Sequence, residues 1–127
     1  MAAEAGAKTV LLVDDDRDIL AAMTAALDEL GPEILTAENG DEALIQAQQH
    51  SPDVVVLDMM LPKRSGFLVL EQLKRGKKPT DPPQVVMITG NQGSRHRVYA
   101  ENLGVAAYIN KPFRMEKLVE TVKGLLA

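Results

Sequence analysis

Short apolar runs alternate with amphipathic segments along almost the whole chain. The runs are rich in β-branched residues and lie at Val10–Val13, Ile34–Ala37, Val54–Leu57, Val85–Ile88 and Ala106–Ile109. The first, third and fourth runs are apolar throughout, which is typical of parallel strands that are buried on both faces. The pattern therefore predicts five strands in a largely buried, parallel sheet.

The segments between the runs have hydrophobic residues at helical spacing. Their apolar stripes are Ile19, Met23, Ala26, Leu27 and Leu30; Ala43, Leu44 and Ala47; Gly66, Val69, Leu70 and Leu73; and Met115, Leu118, Val119, Val122 and Leu126. Asn39, followed by Glu42 three residues later, predicts the capped start of the second helix. A thinner stripe of Val98 and Leu103 indicates a fourth helix near Ser94–Leu103.

This repeated alternation of strand and helix predicts the fold class and the domain organisation. It favours an α/β fold in which helices cover both faces of a parallel sheet. Right-handed crossovers between five strands favour the flavodoxin-like order 2-1-3-4-5. A length of 127 residues fits one domain, which we place at residues 8–127 after a disordered tail at residues 1–7. The longest loop, Gly76–Gln84, contains prolines and is expected at the surface.

Composition and charge exclude several classes of protein. Hydrophobic residues make up 46% of the chain and charged residues 25%, as in a soluble domain with a core. The net charge of −4 gives no general attraction to nucleic acid or to anionic lipid, and cysteine is absent. No apolar run reaches the roughly 18–20 residues of a membrane span. We therefore expect a cytoplasmic protein that binds neither nucleic acid nor a membrane directly.

The basic cluster after the third helical stripe has a simple interpretation. It consists of Lys74, Arg75, Lys77 and Lys78. Aromatic residues are not interleaved with these cations, as they often are where a protein binds nucleic acid. Cations are favoured at the carboxyl end of a helix by its dipole. The cluster is therefore predicted to be a solvated helix end.

Polar residues follow four of the predicted strands. Asp14–Asp16 come after the first strand, Asp58 after the third, Thr89 after the fourth and Lys111 after the fifth. Because parallel strands end at the same edge of a sheet, these side chains should lie close together. Asp16 alone is explained as the N-cap of the first helix. Converging carboxylates repel each other unless a cation lies among them, and oxygen ligands suit Mg²⁺. The sequence therefore predicts a Mg²⁺ site beside Asp58.

Four motifs at these strand ends carry a family resemblance. VLLVDDD, VVVLDMMLP, VVMITG and AYINKPF, in this order and spacing, resemble the receiver domain of two-component response regulators, and the resemblance extends from about Lys8 to the last residue. It implies a single-domain receiver in a phosphorelay, which takes a phosphoryl group from a histidine kinase or a histidine phosphotransfer protein. Such a chain is not an enzyme in the usual sense, because it catalyses only its own phosphorylation and dephosphorylation.

The resemblance also implies roles for the acidic residues. Asp58 would be the phosphoacceptor, whose carboxylate attacks phosphorus and forms an aspartyl phosphate. Asp14 and Asp15 would hold Mg²⁺ together with Asp58 and the backbone carbonyl of Met60. Met60 and Asn91 would border the path of the hydrolytic water. Since the methionine side chain cannot orient water and the asparagine side chain can do so only weakly, we expect slow to moderate self-dephosphorylation.

The remaining site residues would bind the phosphoryl group and pass on the signal. By the resemblance, Thr89 and Lys111 bind the phosphoryl oxygens, and a cis peptide bond between Lys111 and Pro112 directs the lysine into the site. Thr89 and Tyr108 form the switch, in which Tyr108 moves inward after phosphorylation. We expect a downstream protein, or a second copy in a phosphorylation-dependent homodimer, to bind the face made by the fourth helix, the fifth strand and the fifth helix. Its cations are Arg95, Arg97 and Arg114.

Three other interpretations compete. LLVDDDRD resembles the start of a haloacid-dehalogenase-like phosphatase, but Asp18 stands where that family has threonine or valine. A flavodoxin-like FMN carrier would need phosphate-binding groups in the first loop, where this chain has three carboxylates. A receiver domain excised from a larger response regulator or hybrid kinase shares every site residue. The sequence does not separate that third case from a single-domain receiver.

Overall fold

The computed structural model describes residues 8–90 and 94–127. The elements, in chain order, are β1 (Thr9–Val13), α1 (Arg17–Asp28), β2 (Glu33–Ala37), α2 (Gly40–His50), β3 (Val54–Asp58), α3 (Gly66–Lys74), β4 (Gln84–Thr89), α4 (Ser94–Asn102), β5 (Ala107–Asn110) and α5 (Met115–Leu126). Each predicted strand is observed, and no bound differs from the prediction by more than one residue. The tail predicted at residues 1–7 lies outside the described residues. Among the helices described, none is long and apolar enough to cross a membrane.

The five strands form one parallel sheet in the order β2-β1-β3-β4-β5, as predicted. The strands are aligned so that their carboxyl ends share one edge. Val13 at the end of β1 lies opposite Leu57, while Asp58 lies opposite Ile88 on β4. Thr89 in turn lies opposite Asn110 on β5. The residues that end or directly follow β1, β3, β4 and β5 are therefore brought to the same edge.

Successive strand residues pack into two separate cores, because side chains of a strand alternate between the faces of the sheet. Leu11, Val55 and Met87 belong to the core under α2, α3 and α4. Their neighbours Leu12 and Val56 belong to the core under α1 and α5. The predicted stripes of α3 and α5 are confirmed, since Val69, Leu70, Leu73, Leu118 and Val122 are all buried. Helices therefore cover both faces of the sheet.

The predicted stripe at α4 is confirmed for Leu103, which is partly buried against the core, and is wrong for Val98. Val98 is 54% exposed, and among the residues of this helix whose burial is described, Ala100 is the one that is fully buried in the core. An aromatic contact adds to the packing of α4 on α3, because the ring of Phe67 packs edge-on against Tyr99 with centroids 5.0 Å apart. The helix also ends at Asn102, one residue before the predicted Leu103.

The basic cluster is not simply a solvated helix end. Lys74 is only 4% exposed, and its ammonium donates to the backbone carbonyls of Asp81 (2.6 Å), Pro83 (3.1 Å) and Pro79 (3.5 Å). The physical reason is that the segment 75–83 folds back over the end of α3 and brings its carbonyl groups to the lysine. Exposed positions for Arg75, Lys77 and Lys78 agree with the prediction.

Candidate functional site

The loop after β1 sends its first aspartate inward and its second outward. Asp14 is 2% exposed, and its Oδ1 accepts a hydrogen bond from the backbone N–H of Asp16 (2.9 Å). Asp16 is the N-cap of α1, as predicted, because its side chain accepts from the N–H groups of Asp18 and Ile19. Asp15 lies between them with an exposed side chain. One carboxylate is therefore fixed at the floor of the site and one lies at its mouth.

Asp58 ends β3 and is only 5% exposed. Its Oδ1 accepts from the backbone N–H of Met60 at 3.3 Å. One carboxylate oxygen from each of Asp14, Asp15 and Asp58 lies within 4.8 Å of the others. Burial raises the pKa of Asp58 above its ordinary value and the Asp14 carboxylate raises it further, while Lys111 and the Met60 N–H oppose the rise. Unfavourable negative charge is thus concentrated at this edge of the sheet.

Lys111 supplies a positive charge to the two buried carboxylates. Its Nζ lies 3.4 Å from Asp14 Oδ2 and 3.5 Å from Asp58 Oδ2. Its backbone N–H donates to the Thr89 carbonyl at 2.7 Å, which ties the end of β5 to the end of β4. The Lys111–Pro112 peptide bond is cis, in agreement with the resemblance. The lysine therefore partly offsets the repulsion between the carboxylates.

Thr89 and Tyr108 lie behind the acidic residues. Thr89 is fully buried, and its hydroxyl donates to the sulfur of Met59 at 3.5 Å. The ring of Tyr108 is partly buried, and the Arg97 guanidinium lies 5.9 Å from its centroid. Burial raises the pKa of the Tyr108 phenol, while the Thr89 hydroxyl and Arg97 act in the opposite direction. The threonine and the tyrosine are therefore close neighbours on β4 and β5.

The predicted site residues differ in where they lie. Asp14, Asp15, Asp58 and Lys111 come together at one edge, with Thr89 directly behind them. The backbone of Met60 contacts Asp58, whereas its side chain is 69% exposed. The cations of the predicted output face lie on or next to the expected elements: Arg95 and Arg97 on α4, and Arg114 at the start of α5. Asn91 lies outside the described residues.

The sequence did not reveal two residues that shape the site. Met59 was assigned no role, yet its sulfur is the acceptor for the Thr89 hydroxyl. Gly66 was placed only on an apolar stripe, but a Cβ there would lie 2.5 Å from the Asp58 carbonyl oxygen and 2.7 Å from Met59 Cα. A glycine at the first position of a helix is the only sequence signal of that close approach.

Comparison with known proteins agrees with this geometry. The family model of the response regulator receiver domain matches residues 10–123. Protein PilH of Pseudomonas aeruginosa is 32% identical over 118 residues, which are 93% of this chain and 97% of that protein. The phosphate regulon transcriptional regulatory protein PhoB of the same organism is 35% identical over 119 residues, or 94% of this chain, but the match covers only 52% of PhoB.

A solved structure gives the same result for the fold. The CheY-like response regulator receiver domain protein of Methanospirillum hungatei superposes with a TM-score of 0.82 and 31% identity, over 94% of each chain. The family, the relatives and the fold agree, and they do not support a haloacid-dehalogenase-like phosphatase or an FMN carrier. The chain therefore belongs to the receiver domain family of response regulators in two-component signalling.

Proposed function

We propose that the protein is a phosphoacceptor and that Asp58 takes a phosphoryl group from a histidine kinase or a histidine phosphotransfer protein. One observation carries the proposal: the nearly buried Asp58 carboxylate lies at a strand end between the Lys111 ammonium, 3.5 Å away, and two further carboxylates. A buried, paired carboxylate with a raised pKa is a candidate nucleophile. Asp15, in contrast, is exposed and has no comparable environment.

The donor set fits Mg²⁺. Carboxylate oxygens of Asp14, Asp15 and Asp58 lie within 4.8 Å of one another, and a hard cation of this kind prefers oxygen ligands and retains some of its waters. We assign these three carboxylates and the Met60 backbone carbonyl as its ligands. When bound, Mg²⁺ supplies positive charge that offsets the charge of the transferred phosphoryl group.

The residues of the chain then have distinct chemical tasks. A carboxylate oxygen of Asp58 forms a bond to phosphorus while the bond between phosphorus and the donor histidine nitrogen breaks, and the histidine departs with the electron pair. Lys111 stabilises the negative charge of the phosphoryl oxygens, and the Thr89 hydroxyl donates to one of them. The chain acts only on itself, both in this step and in the hydrolysis of its aspartyl phosphate.

Signal output follows from the position of Thr89. For its hydroxyl to donate to a phosphoryl oxygen, Thr89 must give up its hydrogen bond to the Met59 sulfur. That movement changes the environment of Tyr108, which packs between Thr89 and Arg97. We propose that the surface made by α4, β5 and α5 then binds a downstream protein or a second phosphorylated copy.

Phosphorylation in vitro tests the proposal directly. The protein is incubated with acetyl phosphate and Mg²⁺ and its intact mass is measured, with Asp58→Asn as the test variant and the exposed Asp28→Asn as the matched control. The parent and the control should each gain one hydroxylamine-sensitive phosphoryl group, and Asp58→Asn should gain none. EDTA should stop the reaction without unfolding the protein. An Asp58→Asn protein that still gains such a group would contradict the proposal.

A further inference from the structure

The β2–α2 turn, taken here as residues 38 and 39 together with the first two residues of α2, contacts two of the loops that carry site residues. At its beginning, Glu38 accepts a hydrogen bond from Arg17 Nε at 3.1 Å, at the start of α1 and directly after the aspartate loop. At its end, Asp41 accepts from Arg64 Nε at 2.9 Å, in the loop between β3 and α3. None of the site residues lies on this turn, although it links the two sides of the site.

Gly40 lies where the structure leaves no room for a side chain. A Cβ at Gly40 would lie 2.5 Å from Arg64 Cβ, 2.6 Å from the Arg64 carbonyl oxygen and 3.1 Å from Val69 Cγ2. Two of these atoms belong to the main chain or are fixed directly to it, so a side chain at Gly40 would displace the backbone around Arg64. The first residue of α2 is therefore packed directly against the loop between β3 and α3.

A hydrogen bond joins the two ends of that loop, which comprises residues 59–65. At the α3 end, the N–H of Gly66 donates to the Met59 carbonyl at 2.9 Å. Near the middle, Lys63 has a φ of 69°, a left-handed conformation that a side-chain-bearing residue keeps only when its surroundings impose it. Between these points lies Met60, whose N–H donates to Asp58. The position of Met60 therefore depends on how firmly the rest of the loop is held.

We propose that the β2–α2 turn braces the phosphorylation site, with Gly40 as a positioning residue that sets the place of Met60 for Mg²⁺ binding. The Asp41–Arg64 ion pair assists, but both side chains are more than a third exposed, so it contributes less than the close packing at Gly40. The inference rests on the proposed function for the identity of the cation and for the Met60 carbonyl as a ligand.

The test compares two glycine variants during titration with Mg²⁺ alone, followed by amide NMR. Gly40→Ala introduces the methyl group that collides with Arg64, whereas Gly124→Ala in α5 introduces one that meets nothing within 4 Å. In Gly40→Ala we expect the amide resonances of residues 59–65 to shift before Mg²⁺ is added. The half-saturating Mg²⁺ concentration should then rise about tenfold, the effect typical of supporting residues around a metal. Unchanged half-saturation in a folded Gly40→Ala protein would overturn the proposal.

A second pair of variants applies if Gly40→Ala does not fold. Arg64→Gly removes both the ion pair with Asp41 and the Cβ that packs against Gly40, and Arg75→Gly removes a comparable exposed ion pair with Glu71. Half-saturating Mg²⁺ should rise in the first and not in the second, and equal values in both would overturn the brace. Because the probe is Mg²⁺ rather than a phosphoryl donor, a protein that binds Mg²⁺ normally but is never phosphorylated contradicts only the proposed function.

Discussion

At the scale of single residues, the site is defined by an imbalance of charge. Asp14 and Asp58 are both nearly buried and share one ammonium group, that of Lys111. Burial and the Asp14 carboxylate raise the pKa of Asp58. Between the ordinary aspartate pKa and this raised value, the folded protein binds more protons than the unfolded one, so its stability falls as the pH rises through that window. Above the window, ionised Asp58 destabilises the fold when Mg²⁺ is absent.

This destabilising effect of ionised Asp58 leads to a prediction for the stability of Asp58→Asn. In EDTA at neutral pH, the variant should unfold at a temperature a few degrees higher than the parent, which corresponds to about 1 kcal/mol. The difference should shrink as the pH falls below the ordinary aspartate pKa, because Asp58 is then protonated in both states. Thermal unfolding followed by circular dichroism measures it, with the exposed Glu120→Gln as control. A variant less stable than the parent at neutral pH would contradict the assigned charge balance.

At the scale of elements, the sequence predicted those strands and helices whose burial produces a regular pattern of hydrophobic residues. Strand residues such as Val54–Leu57 are apolar because helices cover both faces of the sheet, and the polar residues after four of the strands marked the site edge. Val98 was wrongly assigned to the buried stripe of α4 because the buried residue there is the small Ala100, which carries little hydrophobic signal. Contacts such as those of Gly40 and Lys74 depend on loop geometry, which no local periodicity encodes.

The prediction at this scale concerns the effect of Lys74 on stability. Its replacement by methionine keeps an unbranched side chain of similar length but removes the donor from the carbonyls of Asp81 and Pro83. Since buried acceptors would lose their partner, the free energy of unfolding should fall by about 1–3 kcal/mol. Urea unfolding measures the change. Lys78→Met, at an exposed position of the same segment, is the matched control and should change stability by less than about 0.5 kcal/mol. Equal stability of the two variants would show that the lysine contacts are not required.

At the scale of the whole molecule, the fold and the proposed switch have separate physical origins. Two hydrophobic cores hold the sheet between its helices, and none of the carboxylates of the site belongs to them. Thr89 lies at the boundary between the hydrophobic cores and the carboxylate site. It is fully buried and contacts the Met59 sulfur, yet it ends the strand next to Asp58. In the proposed switch, a change of charge at Asp58 therefore reaches α4 and β5 through one side chain, without unfolding either core.

The last prediction follows from that connection. With Mg²⁺ and beryllofluoride, amide resonances should shift in the loops around Asp58 and also across residues 95–110, because Thr89 leaves Met59 and Tyr108 repacks beside Arg97. In Thr89→Ala the shifts around Asp58 should persist, since its carboxylate and Lys111 remain, while those across residues 95–110 should be lost. Shifts that extend across residues 95–110 equally in the parent and in Thr89→Ala would show that the signal bypasses Thr89. Shifts confined to the loops in both proteins would show that Tyr108 does not respond to the charge on Asp58.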